Sequence, residues 1–281
     1  MNAKFVNNLK ITIFTNNSRG LEVIKFFKKK NIKIFKIIIA KKNLNIAILN
    51  FLKKNKIAFV LIKNLKRKIV KTILKNSDIG LVCGFPYIFS NELIKYPKHG
   101  LLNLHAGRLP KYRGGSPLNW QILNKEKYFG ITVIKINKGI DTGDIICEKK
   151  FKLFDKYCIE DLQKIANQNF PVLLYKSILK VISKKKLKKQ KSSFSSYYKQ
   201  RNMNSSQIDI KKIKFKELKL LYRATSKTYQ NPYFFFKNKK VVLNSFKKIK
   251  KNYTNYKSRI FIINNEIYLK IKDSIVKILK S

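Results

Sequence analysis

Asn103, His105 and Asp141 carry the side chains that acyl transfer to an amine needs. An amine attacking a carbonyl carbon must give up a proton, and the oxygen that becomes negative must be met by hydrogen-bond donors. His105 can take the proton, and the amide of Asn103 can donate to the oxygen. One residue separates them in the strand-like run GLLNLHA (100–106), so both side chains leave the same face of a strand. Asp141 follows in GIDTGDII (139–146), in a chain with 14 acidic residues against 64 basic ones, where each carboxylate stands out. A carboxylate beside the imidazole is expected to raise its pKa and select one ring orientation. Taken singly, His105 reads as a strand-end histidine satisfied by backbone and Asp141 as a turn cap. Asn-x-His together with a glycine-flanked aspartate favours the reactive reading. Around this centre, Pro110, Gly114 and Gly115 are expected to shape a tight loop that lets backbone approach a ligand, with Gly143 opposite. Arg113, beside its two glycines, is the expected contact for an anionic group, so that Arg113, Gly114 and Gly115 form the expected substrate-binding set. His99, in PKHG, reads as structural.

The elements that must position these residues are legible in the hydrophobic pattern. LKITIF (9–14), IKIFKIIIA (32–40), IAFVLI (57–62), DIGLVCG (78–84) and GLLNLHA (100–106) read as buried strands. Helical segments alternate with them: one from Leu21 with Leu21, Ile24 and Phe27 on one side, one over 43–55, and a basic one near 65–75. Alternation with short connections predicts an α/β fold, a Rossmann-like, mostly parallel sheet with helices on both faces. In such sheets ligands lie beyond the carboxyl ends of the strands, where Asn103 and His105 fall. The first loop, TNNSRG, lacks GxGxxG, so no dinucleotide site is supported. SPLNWQILNK reads as a helix capped by Ser116 with Pro117 at its first position. GITVIKI and DIICEKKF are strand-like and flank the Asp141 loop. Residues 159–182 are helical in spacing, with Pro171 a kink or a division into two helices.

The chain divides, on this reading, into a catalytic domain over 1–182, a basic linker over 183–200 and a small C-terminal β-barrel domain of OB type over 201–281. The linker, SKKKLKKQKSSFSSYYKQ, has no periodic apolar face. The last domain offers a short amphipathic helix and five strand-like runs with Asn-rich turns between them. The formal net charge of +50 fits two readings: attraction to a polyanion such as RNA or an anionic membrane surface, or lysine faces that are merely solvated. Three cysteines without CxxC spacing and only two histidines give no metal site, and the cysteines read as buried small hydrophobes in a reducing compartment. No apolar run reaches the ~18 residues of a spanning helix. The N-terminal stretch lacks the apolar core and cleavage site of a signal peptide, so a cytoplasmic location is expected.

NLHAGRLPKYRGGSPLNW followed by GITVIKINKGIDTGDII resembles the 10-formyltetrahydrofolate-dependent formyltransferases, over roughly residues 9–182. The shared pattern is N-x-H, L-P, R-G and a downstream D-T-G-D. The segment from Ile208 to Leu243 looks, more loosely, like the family's second domain. The resemblance implies formyl transfer from 10-formyltetrahydrofolate to a primary amine, with no metal, and Asn103, His105 and Asp141 as the catalytic residues. It implies a folate site along VCGFPYIFS (82–90) and the Asp141 loop, with Gly84, Phe85, Tyr87, Ile88, Gly139, Ile140 and Asp144 as cofactor-binding residues. Two acceptors stand open: initiator Met-tRNA, and a nucleotide-linked amino sugar for surface polysaccharide. TNNSRG in place of a G-T-P-type loop, the short KKNLN after the second strand and the HAGRLP segment favour a compact acceptor. The charge, the basic linker and the second domain suit RNA. A non-catalytic RNA-binding module and a hydrolase that releases formate are the remaining readings.

Overall fold

Isoleucine- and valine-rich runs form the strands of the central sheet, and the burial of β1 (Ile11–Thr15) along its whole length shows that both its faces are covered. The computed structural model describes residues 6–226, 230–250 and 258–279. In chain order the first half runs β1, α1 (Ser18–Lys29), β2 (Lys36–Ala40), α2 (Ile46–Lys54), β3 (Val60–Ile62), α3 (Lys68–Lys75), β4 (Ile79–Cys83), α4 (Asn91–Lys95) and β5 (Leu101–His105). There follow β6 (Arg113–Gly114), α5 (Pro117–Leu123), β7 (Tyr128–Lys135), β8 (Ile145–Lys152), α6 (Ile159–Ile182) and β9 (Tyr197–Tyr198), which pairs with β6. Seven strands make the main sheet in the order β3-β2-β1-β4-β5-β7-β8. β1 pairs in parallel with both β2 and β4, and β5 pairs in parallel with β4 but antiparallel with β7. The strand order reverses beside β1. That order, with a helix after each of the parallel strands β1 to β4, is the one expected of a doubly wound α/β sheet.

Local sequence accounts for most of these elements. α1 starts at Asn17, whose side chain accepts from the Arg19 N–H, and buries Leu21, Ile24 and Phe27 as the spacing predicts. α3 buries Val70, Ile73 and Leu74. Two expectations need correction. Ser116 holds the N-cap position of α5 before Pro117, as expected, but its side chain makes no cap bond: it sits at φ +49, and its hydroxyl accepts instead from Gln200 (2.8 Å) and the Arg201 N–H (3.1 Å). Pro171 does not divide the helix that contains it, since α6 runs unbroken from Ile159 to Ile182. The buried stripe Ala166, Phe170, Leu174 and Ile178 continues past the proline, and packing on that scale outweighs one lost backbone bond.

The chain forms two compact units. One holds the segment ending at Gly114 together with Phe129–Phe151 and Lys164–Tyr197; the other holds Gly115–Tyr128, Lys152–Gln163 and the chain from Tyr198 on. Among the described residues of the second unit, α7 (Phe215–Thr225) and six strands replace the helix and five runs expected: β10 (Tyr233–Phe236), β11 (Lys239–Val242), β12 (Phe246–Ile249), β13 (Ile260–Ile263), β14 (Glu266–Lys270) and β15 (Ile275–Ile278). The run KKVVLNSF divides into β11 and the start of β12. β10–β11 form one antiparallel sheet and β12-β15-β14-β13 another, and Leu218, Phe234, Leu243, Leu269 and Val276 share one core. Lys237–Asn238 and Asn264–Asn265 turn the two hairpins with positive φ at both positions, the geometry that suits a two-residue loop between twisted strands. Among the described residues no helix is long and apolar enough to cross a membrane.

Candidate active site

Asp141 is where the side chains of Asn103 and His105 meet. Asn103 and His105 lie on the last three residues of β5, and the loop between β7 and β8 brings Asp141 against both. The Asn103 amide donates to one carboxylate oxygen (Nδ2 to Oδ1, 3.3 Å). The other oxygen, Oδ2, accepts from the Gly114 N–H (2.9 Å) and lies 3.4 Å from Nδ1 of His105. The far side of the ring is also engaged: Nε2 is 2.7 Å from the Tyr112 carbonyl oxygen. A carbonyl only accepts, so Nε2 carries the ring proton and Nδ1 presents its lone pair towards Asp141. A proton arriving at Nδ1 is therefore held between imidazole and carboxylate.

The electrostatic balance differs from the sequence expectation. His105 is 5% exposed, and its pKa is lowered, not raised. Burial is the largest cause; Asp141 and the Tyr112 carbonyl pull the other way, and the Arg19 guanidinium adds to the lowering. Arg19 is held close by a bond to the Leu104 carbonyl (3.0 Å) and by stacking on Phe170 (4.7 Å). The ring is thus a neutral base near pH 7. Cys83, at the end of β4, is fully buried with its thiol pushed up to about 12, which leaves it unreactive at neutral pH.

The Asp141 loop is tightly drawn. A Cβ on Gly143 would lie 1.7 Å from the Lys135 carbonyl oxygen, so the loop closes only with glycine there. Asp141 has φ +54, a left-handed conformation that costs a non-glycine residue on the order of 1–3 kcal/mol and persists only when its surroundings hold it. The Asn137 carboxamide oxygen accepts from Gly139 N–H (3.1 Å) and Thr142 hydroxyl (2.6 Å). The Tyr197 hydroxyl donates to the Ile140 carbonyl (2.8 Å), and Gln190 donates to the carbonyls of Asp141 (2.9 Å) and Gly143 (2.7 Å).

Beside Asn103 and Asp141 opens a cavity of about 170 Å³, walled by Val82, Phe85, Tyr87, Phe89, Ile134 and Ile136 and by the loop from Asn137 to Ile140, with Ile88 at its rim. Its aromatic wall is built edge-to-face: Phe14 meets Phe85 at 5.4 Å and Phe89 at 4.9 Å, and Phe85 meets Tyr87 at 5.4 Å. Asn103 and Asp141 line this cavity; His105 stands behind them. Of the residues expected to bind folate, Phe85, Tyr87, Ile88, Gly139 and Ile140 line the cavity, while Gly84 and Asp144 flank it without contributing to its wall. An apolar slot ending in a few polar groups fits a flat heteroaromatic ring.

The expected substrate set is divided by the structure. Gly114 belongs to the site through its N–H on Asp141. Arg113 is engaged within the protein: it is 5% exposed, its Nε (3.1 Å) and Nη2 (2.9 Å) donate to the Gln190 oxygen, and it stacks on Tyr197 at 5.6 Å. Gly115 belongs to the other compact unit, where its N–H donates to the Tyr198 carbonyl (2.9 Å) and a Cβ would strike the Gln200 backbone at 2.4 Å. Gln190 and Tyr197 escape sequence reasoning because they lie in a lysine- and serine-rich run without periodicity. The Tyr112 carbonyl escapes it because a backbone acceptor has no sequence signal.

The sheet order, the Asn-x-His strand end and the aspartate loop place three polar side chains at the carboxyl edge of a Rossmann-like core. The formyl transferase family profile matches residues 13–178, and the chain belongs to that family. Methionyl-tRNA formyltransferase from Clostridium tetani is 40% identical over 101 residues, covering 36% of this chain and 33% of that protein. Bifunctional polymyxin resistance protein ArnA from Wigglesworthia glossinidia brevipalpis is 32% identical over 203 residues, covering 69% of this chain and 29% of that protein. These matches span about a third of the length of the curated relatives. Among solved structures, the N-formyltransferase from Helicobacter canadensis, in complex with folinic acid and dTDP-3-aminofucose, shares the fold at a TM-score of 0.68 and 23% identity, covering 97% of this chain and 100% of that one.

Proposed function

We propose that this protein transfers a formyl group from 10-formyltetrahydrofolate to a primary amine. The observation that carries the reading is the convergence of Asn103 and His105 on the two oxygens of Asp141, at the end of an aromatic slot. Bound in that slot, the folate supplies the activated formyl carbon. Phe85, Tyr87, Gly139 and Ile140 would hold its flat ring. Asn103 has two amide hydrogens; one is on Asp141, and the other is free to meet the formyl oxygen as it gains negative charge. Asp141, which lines the slot, and Nδ1 of His105 behind it receive the proton that the amine loses. The same pair returns that proton to the departing folate nitrogen. In balance, a bond from the amine nitrogen to the formyl carbon forms, and the bond from that carbon to the folate nitrogen breaks. Residues 1–182 contain each of these groups and constitute the proposed catalytic domain, with 183–200 joining it to the small β domain.

Initiator Met-tRNA is the acceptor proposed first. It is supported by curated relatives of that name and by the +50 charge, which favours a polyanion. A nucleotide-linked amino sugar is the second reading. It is supported by whole-chain similarity of fold to the sugar-bound Helicobacter canadensis structure and by the five-residue connection between Ala40 and Ile46. Asn16, itself 6% exposed, ties that connection down through its amide on the Lys42 and Asn43 carbonyls, which leaves no long basic arm there. Incubation with 10-formyltetrahydrofolate and each acceptor in turn, followed by mass spectrometry of the acceptor, tests both. Formylation of one names it; formylation of neither, with the protein folded, refutes amine transfer.

A further inference from the structure

Gln190 fastens the Asp141 loop from outside. Its amide nitrogen donates to the carbonyls of Asp141 (2.9 Å) and Gly143 (2.7 Å), while its amide oxygen accepts from Nε (3.1 Å) and Nη2 (2.9 Å) of Arg113. The guanidinium can only donate and the two carbonyls can only accept, so the amide has one orientation and both its ends are in use. The segment is registered on the sheet just before this point: Ile145 and Lys188 exchange backbone bonds of 2.8 and 3.0 Å. Beyond it, Arg113 lies over the Tyr197 ring, and the Tyr197 hydroxyl reaches the Ile140 carbonyl (2.8 Å). Arg113 also precedes Gly114, whose N–H holds the Asp141 carboxylate (2.9 Å). Gln190 therefore joins the two backbone segments that grip Asp141, one at its carbonyl and one at its carboxylate. Asp141 keeps a left-handed φ of +54 between them.

We propose that Gln190 is a positioning residue for formyl transfer, holding Asp141 in the one conformation in which its carboxylate meets Asn103 and His105 together. This rests on the formyl-transfer reading above. Gln190 does not line the slot; its contribution is made through Asp141. The chain around Gln190, itself outside helix and strand, thus acts as a strap on the reacting groups.

Two variants separate the bonds. Gln190→Glu keeps an acceptor for Arg113 and removes both donors to the loop; Gln190→Met removes all four bonds at similar volume. With each protein well below its melting temperature, Gln190→Glu is expected to lower kcat at least about tenfold while the KM values for donor and acceptor stay within about threefold. A second readout needs no substrate. The chain has two histidines, so His105 is assigned in ring NMR spectra by comparison with a His99→Gln variant. Asp141 and Arg19 are the charged groups facing His105, and Asp141 favours its protonated form. In Gln190→Met, release of Asp141 is expected to move the His105 titration to lower pH than in the wild type. Wild-type kcat in Gln190→Glu, or an unshifted His105 titration in a folded Gln190→Met, would overturn the assignment. If Gln190→Met does not fold, Gln190→Glu alone decides. Failure of the wild type to formylate any amine would refute the functional reading instead, and the titration still decides the role of Gln190.

Discussion

His105 is a base whose environment makes it neutral rather than charged, and two consequences follow at the scale of the residue. Because burial lowers its pKa below the ordinary 6.5, the unfolded chain takes up the proton first as pH falls. The native state is thus fully stable above that value and loses stability as pH drops from it towards the folded pKa. His99 is shifted in the same direction, by burial first and by Lys98 next. Thermal melts are expected to show a lower melting temperature at about pH 5.5 than at about pH 7.5, with a smaller difference in His105→Gln. Turnover should decline over the same window, as Nδ1 fills with a solvent proton and no longer accepts one from the amine. Asn103→Ala removes the donor for the formyl oxygen. Steady-state kinetics should show kcat falling by about 10²- to 10³-fold with the donor KM little changed.

At the scale of the element, the loop between β7 and β8 is a device for aiming one carboxylate. Gly143→Ala would set a methyl carbon 1.7 Å from the backbone oxygen of Lys135, whereas Gly139→Ala would meet the Thr142 side chain at 2.3 Å. Backbone cannot yield as a side chain can, so Gly143→Ala is expected to cost on the order of 1–3 kcal/mol in stability and Gly139→Ala less. Chemical denaturation of the two variants, with kcat alongside, checks the order. The contrast between β5 and the strap also explains what the sequence makes legible. Asn103 and His105 announce themselves because a strand's alternation fixes where side chains point, and each residue type has a chemistry. The strands and amphipathic helices of the core are readable for the same reason, since period and burial coincide in Ile13, Ile24 and Phe27. Gln190 and the hydroxyl of Ser116 gain their roles from chain segments far away in sequence. Local pattern does not encode such partners. Arg113 shows the opposite error: a cation between loop and glycines reads as a ligand contact, but tertiary burial gives it to Gln190.

For the whole molecule, the open question is how much of the +50 charge serves the acceptor. Binding of tRNA by many lysines releases counterions, so its affinity falls steeply with salt, while a single nucleotide diphosphate releases few. If Met-tRNA is the acceptor, the KM for it should rise at least about tenfold between 50 and 200 mM salt. A flat salt dependence alongside efficient sugar formylation would assign the charge to solvation. Either proposed acceptor would use the centre formed by Asn103, His105 and Asp141. Its most direct test is single-turnover formyl transfer from 10-formyltetrahydrofolate by the wild type, His105→Gln and Asp141→Asn, with donor binding measured in parallel. Transfer by the wild type is expected, with a loss of at least about a hundredfold in each variant and donor affinity retained. Transfer within a few-fold of wild type in either variant would contradict this expectation.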